Sequence, residues 1–221
     1  MQIQPKSRLV FIGDSITDCG RKRPIGESAF DGALGNGYVS LIDAALASNY
    51  PDCEIKIINV GVSGNTVHDL KYRWASDVLA LKPDWLSVLV GINDAWQHFS
   101  LLGSFRQNIS EDEFAQTLDE LIQRVRSSLQ GLILMTPYYL ETNLEDPMRV
   151  MMDHYGELVG EVAAAHDAIL VDTQSNFDRI LRWTDPLDLA LDRIHLNLAG
   201  HMILARVFLQ QINFSWDRTP E

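Results

Sequence analysis

Cysteine is scarce in this sequence: Cys19 and Cys53 are the only two. Two thiols cannot build a disulfide framework, and neither belongs to a CxxC pair or a Cys/His zinc spacing. Basic residues are also in deficit, with 18 Lys and Arg against 30 Asp and Glu and a formal net charge of −12. That field repels nucleic acid and anionic membrane surfaces, so neither is an expected partner. It does not oppose a neutral substrate. No apolar run approaches the ~18 residues that a membrane span requires, and Leu9 to Ile12 is too short for a secretory core. The expectation is a cytoplasmic protein with two free thiols. No G-x-G-x-x-G follows the first apolar segment, which argues against a dinucleotide-binding dehydrogenase. The nucleophile elbow G-x-S-x-G is missing too, which disfavours the α/β-hydrolase fold.

What remains is a globular profile: 221 residues, 46% hydrophobic and 22% charged, without repeats or a Gly/Ser/Pro-rich linker. One domain over 1–221 is expected. Short apolar runs alternate with amphipathic stretches, the pattern of βαβ units. Strands are expected at Leu9–Gly13, Glu54–Val60, Trp85–Val90, Leu132–Met135 and Ala168–Val171. Helices are expected at Tyr38–Ser48, Val67–Leu81, Ser110–Leu129, Met148–Ala165 and Asn197–Gln211. Thr66 reads as a cap for the second helix. Ser110 and Glu113 have capping-box spacing before a stripe of Phe114, Leu118, Leu121, Ile122, Val125 and Leu129. The architecture implied is a three-layer α/β/α sandwich on a mostly parallel, five-stranded, flavodoxin-like sheet. Ligands of such sheets bind outside the carboxyl ends of the strands.

Four segments fall at that edge. They are Gly13-Asp14-Ser15 after the first strand, Gly61-Val62-Ser63-Gly64-Asn65-Thr66 after the second, Gly91-Ile92-Asn93-Asp94 after the third, and Asp192-Arg193-Ile194-His195 before the last helix. Together they match the needs of acyl transfer. A serine hydroxyl attacks well only when a base takes its proton, and an imidazole suits that task. A carboxylate on the other ring nitrogen fixes the tautomer. The oxyanion needs donors, and the Ser15 and Gly64 N–H groups and the Asn93 amide supply three. Each segment alone has a plainer reading: a turn, a loop, a helix cap, or, for Asp192 and His195, a pair of metal ligands. A phosphoacceptor module is the rival from outside acyl transfer, with Asp14 and Asp18 as its acidic pocket. No lysine at the fifth strand end supports that rival.

The four segments resemble the blocks of the GDSL, or SGNH, serine hydrolases, whose name lists Ser, Gly, Asn and His. Here these are Ser15, Gly64, Asn93 and His195, in the family's order and over nearly the whole chain. FIGDSITDCGR (Phe11–Arg21), GVSGNTVHDL (Gly61–Leu70), KPDWLSVLVGINDAW (Lys82–Trp96), LMTPYYLE (Leu134–Glu141), DPMRVMMDHYG (Asp146–Gly156) and AGHMILARVFL (Ala199–Leu209) are similar to the intracellular acetylxylan esterases of that family. The resemblance implies deacetylation of xylo-oligosaccharides, no cofactor and no metal, and homo-oligomeric assembly. Other acyl esters, as in a thioesterase or a lysophospholipase, stay open beside it. Many members carry proline after the histidine. This chain has Leu196, which puts the stiffness of that loop in question. Trp96, Tyr138 and Tyr139 follow strand ends and are candidates to line a sugar site, with core packing expected for at least one. The loop Arg21–Asn36 is a candidate lid, and His201 a structural histidine.

Overall fold

The computed structural model of the chain describes residues 1–23, 32–99 and 109–218. Five parallel strands form one sheet: β1 (Arg8–Gly13), β2 (Lys56–Asn59), β3 (Trp85–Leu89), β4 (Gly131–Met135) and β5 (Ile169–Val171). Their spatial order is β2-β1-β3-β4-β5. This is the flavodoxin-like order, whose switch point lies between β1 and β3. Every residue of β3 and β4 is buried, as expected for parallel strands covered on both faces.

The helices are α1 (Ser15–Asp18), α2 (Tyr38–Asn49), α3 (Val67–Asp77), α4 (Ile92–Trp96), α5 (Glu111–Arg126), α6 (Pro147–Ala165), α7 (Thr173–Ile180) and α8 (Leu198–Gln211). One helical layer holds α3, α5 and α6, and the other holds α2, α7 and α8. In α5 the Ser110 side chain accepts the Glu113 N–H, three acidic residues fill the first turn, and Arg124 and Arg126 end the helix. Each charge sits at the favourable end of the dipole. The stripe Phe114, Leu118, Leu121, Ile122 and Val125 is fully buried. Burying each such side chain contributes about 1.5–3 kcal/mol.

All five expected strands and all five expected helices occur, with shifted ends. The helix expected over Val67–Leu81 stops at Asp77 and gives way to a 3-10 turn at Leu79–Leu81. There Lys82 takes a left-handed φ of 47°, and the Arg8 guanidinium donates to the Leu81 carbonyl. Thr66 does cap α3, in a full capping box with Asp69. The third strand ends one residue early because Gly91, at φ 132°, turns the chain straight into α4. Three short helices, α1, α4 and α7, have no counterpart in the expectation. The candidate lid lies partly outside the described residues, since 24–31 are not among them.

Candidate active site

Ser15 is the first residue of α1, directly beyond the end of β1. Asp14 starts that turn: its carboxylate accepts the Ile16 N–H at 3.0 Å. The Ser15 Oγ lies 2.9 Å from His195 Nε2. His195 Nδ1 lies 2.6 Å from Asp192 Oδ2. An ionised carboxylate only accepts, so Nδ1 carries the ring proton and Nε2 is left to accept from the serine hydroxyl. Both ring nitrogens are thereby engaged. The Asp192 Oδ1 meanwhile accepts the N–H groups of Ile194 (3.0 Å) and His195 (2.7 Å), so the aspartate folds its own loop as well as holding the imidazole. Partial burial raises the Asp192 carboxyl, but the His195 ring and these two N–H groups outweigh it and hold the pKa below the usual carboxylate value. Asp192 and His195 are about half exposed, at 52% and 58% of their side-chain area. An open cavity of about 680 Å³ runs beside them, walled by Leu187, Leu189, Leu191 and Leu196.

The loop after β2 packs onto this turn. Gly61 is obligatory there, because a Cβ would sit 2.3 Å from the Asp18 nitrogen. The Val62 N–H donates to the Gly13 carbonyl at 3.0 Å, and the Ser63 N–H to Asp18 at 2.9 Å. Gly64 has φ 79° and open space where a Cβ would go. Its need for glycine is therefore conformational rather than one of contact within the chain. Asn93, in α4, donates through Nδ2 to the Asn65 carbonyl at 2.9 Å. That bond orients the amide and uses one of its two N–H groups. Thus Ser15, Asp192 and His195 meet directly, and Asn93 joins the loop that carries Gly64.

Trp96 is 42% exposed, one helical turn beyond Asn93 and on the same face of α4. Tyr139 is half-buried. Tyr138 corrects the expectation that it could line a sugar site, since it is 0% exposed. Its hydroxyl donates instead to the Ile194 carbonyl at 3.0 Å, within the 192–195 loop. The neighbouring Leu140 N–H donates to the Arg193 carbonyl at 3.0 Å, and the Arg193 guanidinium pairs with the buried Glu141 carboxylate. Arg193 itself sits at φ 64°. The stiffness that proline would supply at 196 comes here from the 138–141 segment gripping the loop from below.

Asp14 and Asp94 are buried, and each leaves one carboxylate oxygen without a partner among the described residues. Burial pushes both carboxyls up to about 7, despite the N–H bonds they accept from Ile16 and Val67. A phosphoacceptor needs an accessible carboxylate, and Asp14 offers none. Because both folded pKa values are raised, the stability these groups contribute is full below the unfolded value near 4 and is lost as pH rises through about 7. His201 has the opposite sign. Burial lowers its pKa to about 4, so its contribution is full above about 6.5 and lost as pH falls toward 4. Its Nδ1 accepts the Tyr38 N–H, at the start of α2, and its Nε2 faces the Cys19 Sγ at 3.3 Å, a structural role as expected. Asp94→Asn should remain neutral and still accept from Val67. Between pH 5 and 7 its stability should rise relative to wild type by about 1 kcal/mol per pH unit. Melting temperatures of both proteins across that range check this, and parallel curves reject it.

The chain is similar to proteins of a known family. The sequence model of the GDSL-like lipase/acylhydrolase family matches residues 11–203. An acetylxylan esterase from Geobacillus stearothermophilus is 48% identical over 219 residues, spanning 99% of this chain and 100% of the relative. The crystal structure of Axe2, an acetylxylan esterase from the same organism, superposes with a TM-score of 0.96 over 100% of both chains at 48% identity. That of LAE5, an alpha/beta hydrolase enzyme from the metagenome of Lake Arreo in Spain, gives 0.93 at 46% identity, over 96% of this chain and 98% of its own. A family match over that span, on a fold and residue set of this kind, places the chain in the GDSL-like lipase/acylhydrolase family.

Proposed function

We propose that this chain is a single-domain serine esterase that removes acetyl groups from xylo-oligosaccharides. The observation that carries the reading is the relay Ser15 Oγ, His195 Nε2, His195 Nδ1 and Asp192 Oδ2, with its 2.9 and 2.6 Å links. Ser15 attacks the acetyl carbonyl while His195 takes its proton. The N–H groups of Ser15 and Gly64 and the free N–H of the Asn93 amide hold the oxyanion. His195 then protonates the departing sugar hydroxyl, leaving an acetyl group on Ser15. Water, deprotonated by His195, releases acetate. No cofactor or metal enters these steps.

The acetylated-sugar assignment draws on the relatives above and on the exposed face of Trp96. Catalytic mutants of Axe2 replace a serine, an aspartate and a histidine three positions after that aspartate. The spacing is that of Asp192 and His195. Release of acetate from acetylated xylo-oligosaccharides, compared with esters of eight or more acyl carbons, tests the reading. A strong preference for the acetylated sugar is expected, with weak use of anionic phospholipid given the negative net charge. Preference for long acyl chains rejects the carbohydrate reading and leaves the relay standing.

Action in the cytoplasm belongs to the same proposal, where the free thiols of Cys19 and Cys53 stay reduced. So does assembly into homo-oligomers. Exposed Leu187 and Leu191 beside the 192–195 loop, and exposed Trp183, offer apolar surface of the kind interfaces cover. A purely monomeric sedimentation profile would reject it.

Asn93→Ala should lower kcat and kcat/KM together, by about 10²–10³, with KM little changed. A normal kcat with a lowered melting temperature would instead make Asn93 a turn residue.

A further inference from the structure

One side chain outside all four motifs touches the segments that carry the oxyanion donors. Arg73 lies on α3, with only 12% of its side chain exposed. Its Nη2 donates to the Gly13 carbonyl at 3.0 Å, two residues before Ser15. Its Nη1 donates to the Val60 carbonyl, at the end of β2, at 2.6 Å. Its Nε donates to the Asn65 side-chain oxygen at 2.7 Å. The Asn65 backbone carbonyl is the acceptor that orients Asn93. Asp77, one turn along α3, takes the remaining Nη1 proton at 2.8 Å and fixes the guanidinium plane. A planar cation with five N–H donors can bind all these acceptors at once, and an ammonium cannot.

We propose that Arg73 is a positioning residue for the oxyanion hole, setting the spacing between the Ser15 N–H, the Gly64 N–H and the Asn93 amide. It acts through Gly13, Asn65 and Asn93 and touches no substrate. The proposal rests on the esterase reading, because it needs an oxyanion to stabilise. Its physical basis is that donors serve an oxyanion only when held at their final spacing beforehand. A misplacement of ~1 Å costs about 10²-fold in rate.

The test is a double-mutant cycle. Wild type, Arg73→Lys, Asn93→Ala and the double variant are assayed on 4-nitrophenyl acetate, with melting temperatures and phosphonate labelling of Ser15 measured alongside. Arg73→Lys should lower kcat by about 10–10²-fold with KM within about twofold, because the donors are displaced rather than the binding surface. In the Asn93→Ala background the same change should cost under about fivefold, since groups that act as a unit are not additive. Equal losses in both backgrounds, or an unchanged kcat, overturn the proposal.

Asn65→Ala guards against a misfolded lysine variant. It removes only the Nε link and keeps the backbone carbonyl that Asn93 uses. It should lower kcat by about 3–10-fold, again coupled to Asn93; an unchanged kcat in this variant is equally decisive against the role. If wild type labels at Ser15 and the cycle is additive, Arg73 alone is misassigned. If wild type neither labels at Ser15 nor hydrolyses the ester, the esterase reading falls and this inference with it.

Discussion

Ser15→Ala should lower kcat on acetyl esters by a factor on the order of 10⁶, the scale seen when the nucleophile of another triad hydrolase is removed. On the proposed mechanism the hydroxyl forms the acyl bond, and the remaining donors can do no more than polarise a carbonyl for attack by water. The fold should be unaffected. Among the described residues Ser15 Oγ makes one side-chain hydrogen bond, to a histidine that is itself more than half exposed. The cap that holds α1 belongs to Asp14 and not to the serine. Melting temperature should therefore stay within a degree or two, and an organophosphonate that adds one mass unit of reagent to wild type should add none to the variant. Labelling at Ser63, the other serine of the neighbouring loop, would move the nucleophile there.

Asp192→Asn should lower kcat by about 10⁴, the precedent for this substitution in another triad. The geometry gives a specific reason. One oxygen of Asp192 serves the backbone N–H groups of Ile194 and His195, and the other serves the imidazole. Asparagine can keep the first oxygen in place, so the loop should survive. Its amide nitrogen then faces Nδ1, which must accept, and the proton moves to Nε2. There it confronts Ser15 as a donor. Substrate affinity should change little, and Asp192→Ala should add a loss of stability that the asparagine variant lacks. Activity that depended on added metal and vanished with a chelator would contradict this, because the two side chains would then be ligands.

The features most legible in the sequence were those fixed by local rules. Thr66 and Ser110 mark helix starts because their side chains cap backbone N–H groups within three residues. The buried strands read as apolar runs for the same local reason. The four motif segments were legible because the chemistry restricts residue types at each. Arg73 was not. It sits in a helix where an arginine looks like an ordinary solvated charge, and two of its acceptors are backbone carbonyls that carry no sequence signature. Tyr138 misled for a related reason. An aromatic residue after a strand end looks like a site wall, and only the path of the 192–195 loop over it turns it into a buried support. The short helices α1, α4 and α7 span 4, 5 and 8 residues, too few for a periodic pattern to emerge.

Ser15 and His195 are separated by 180 positions along the chain. The ribosome therefore delivers the proposed nucleophile 180 residues ahead of its base. At about 5–20 residues per second, roughly 9–36 seconds pass between them. Once Asn93 has been made, the nascent chain holds the serine, the Gly64 loop and that asparagine, still without the imidazole proposed to activate the hydroxyl. On the proposed mechanism hydrolytic competence is then acquired only once the 192–195 loop settles onto Tyr138. A chain that stalls before Asp192 is then expected to carry an inert serine and to release no acetate.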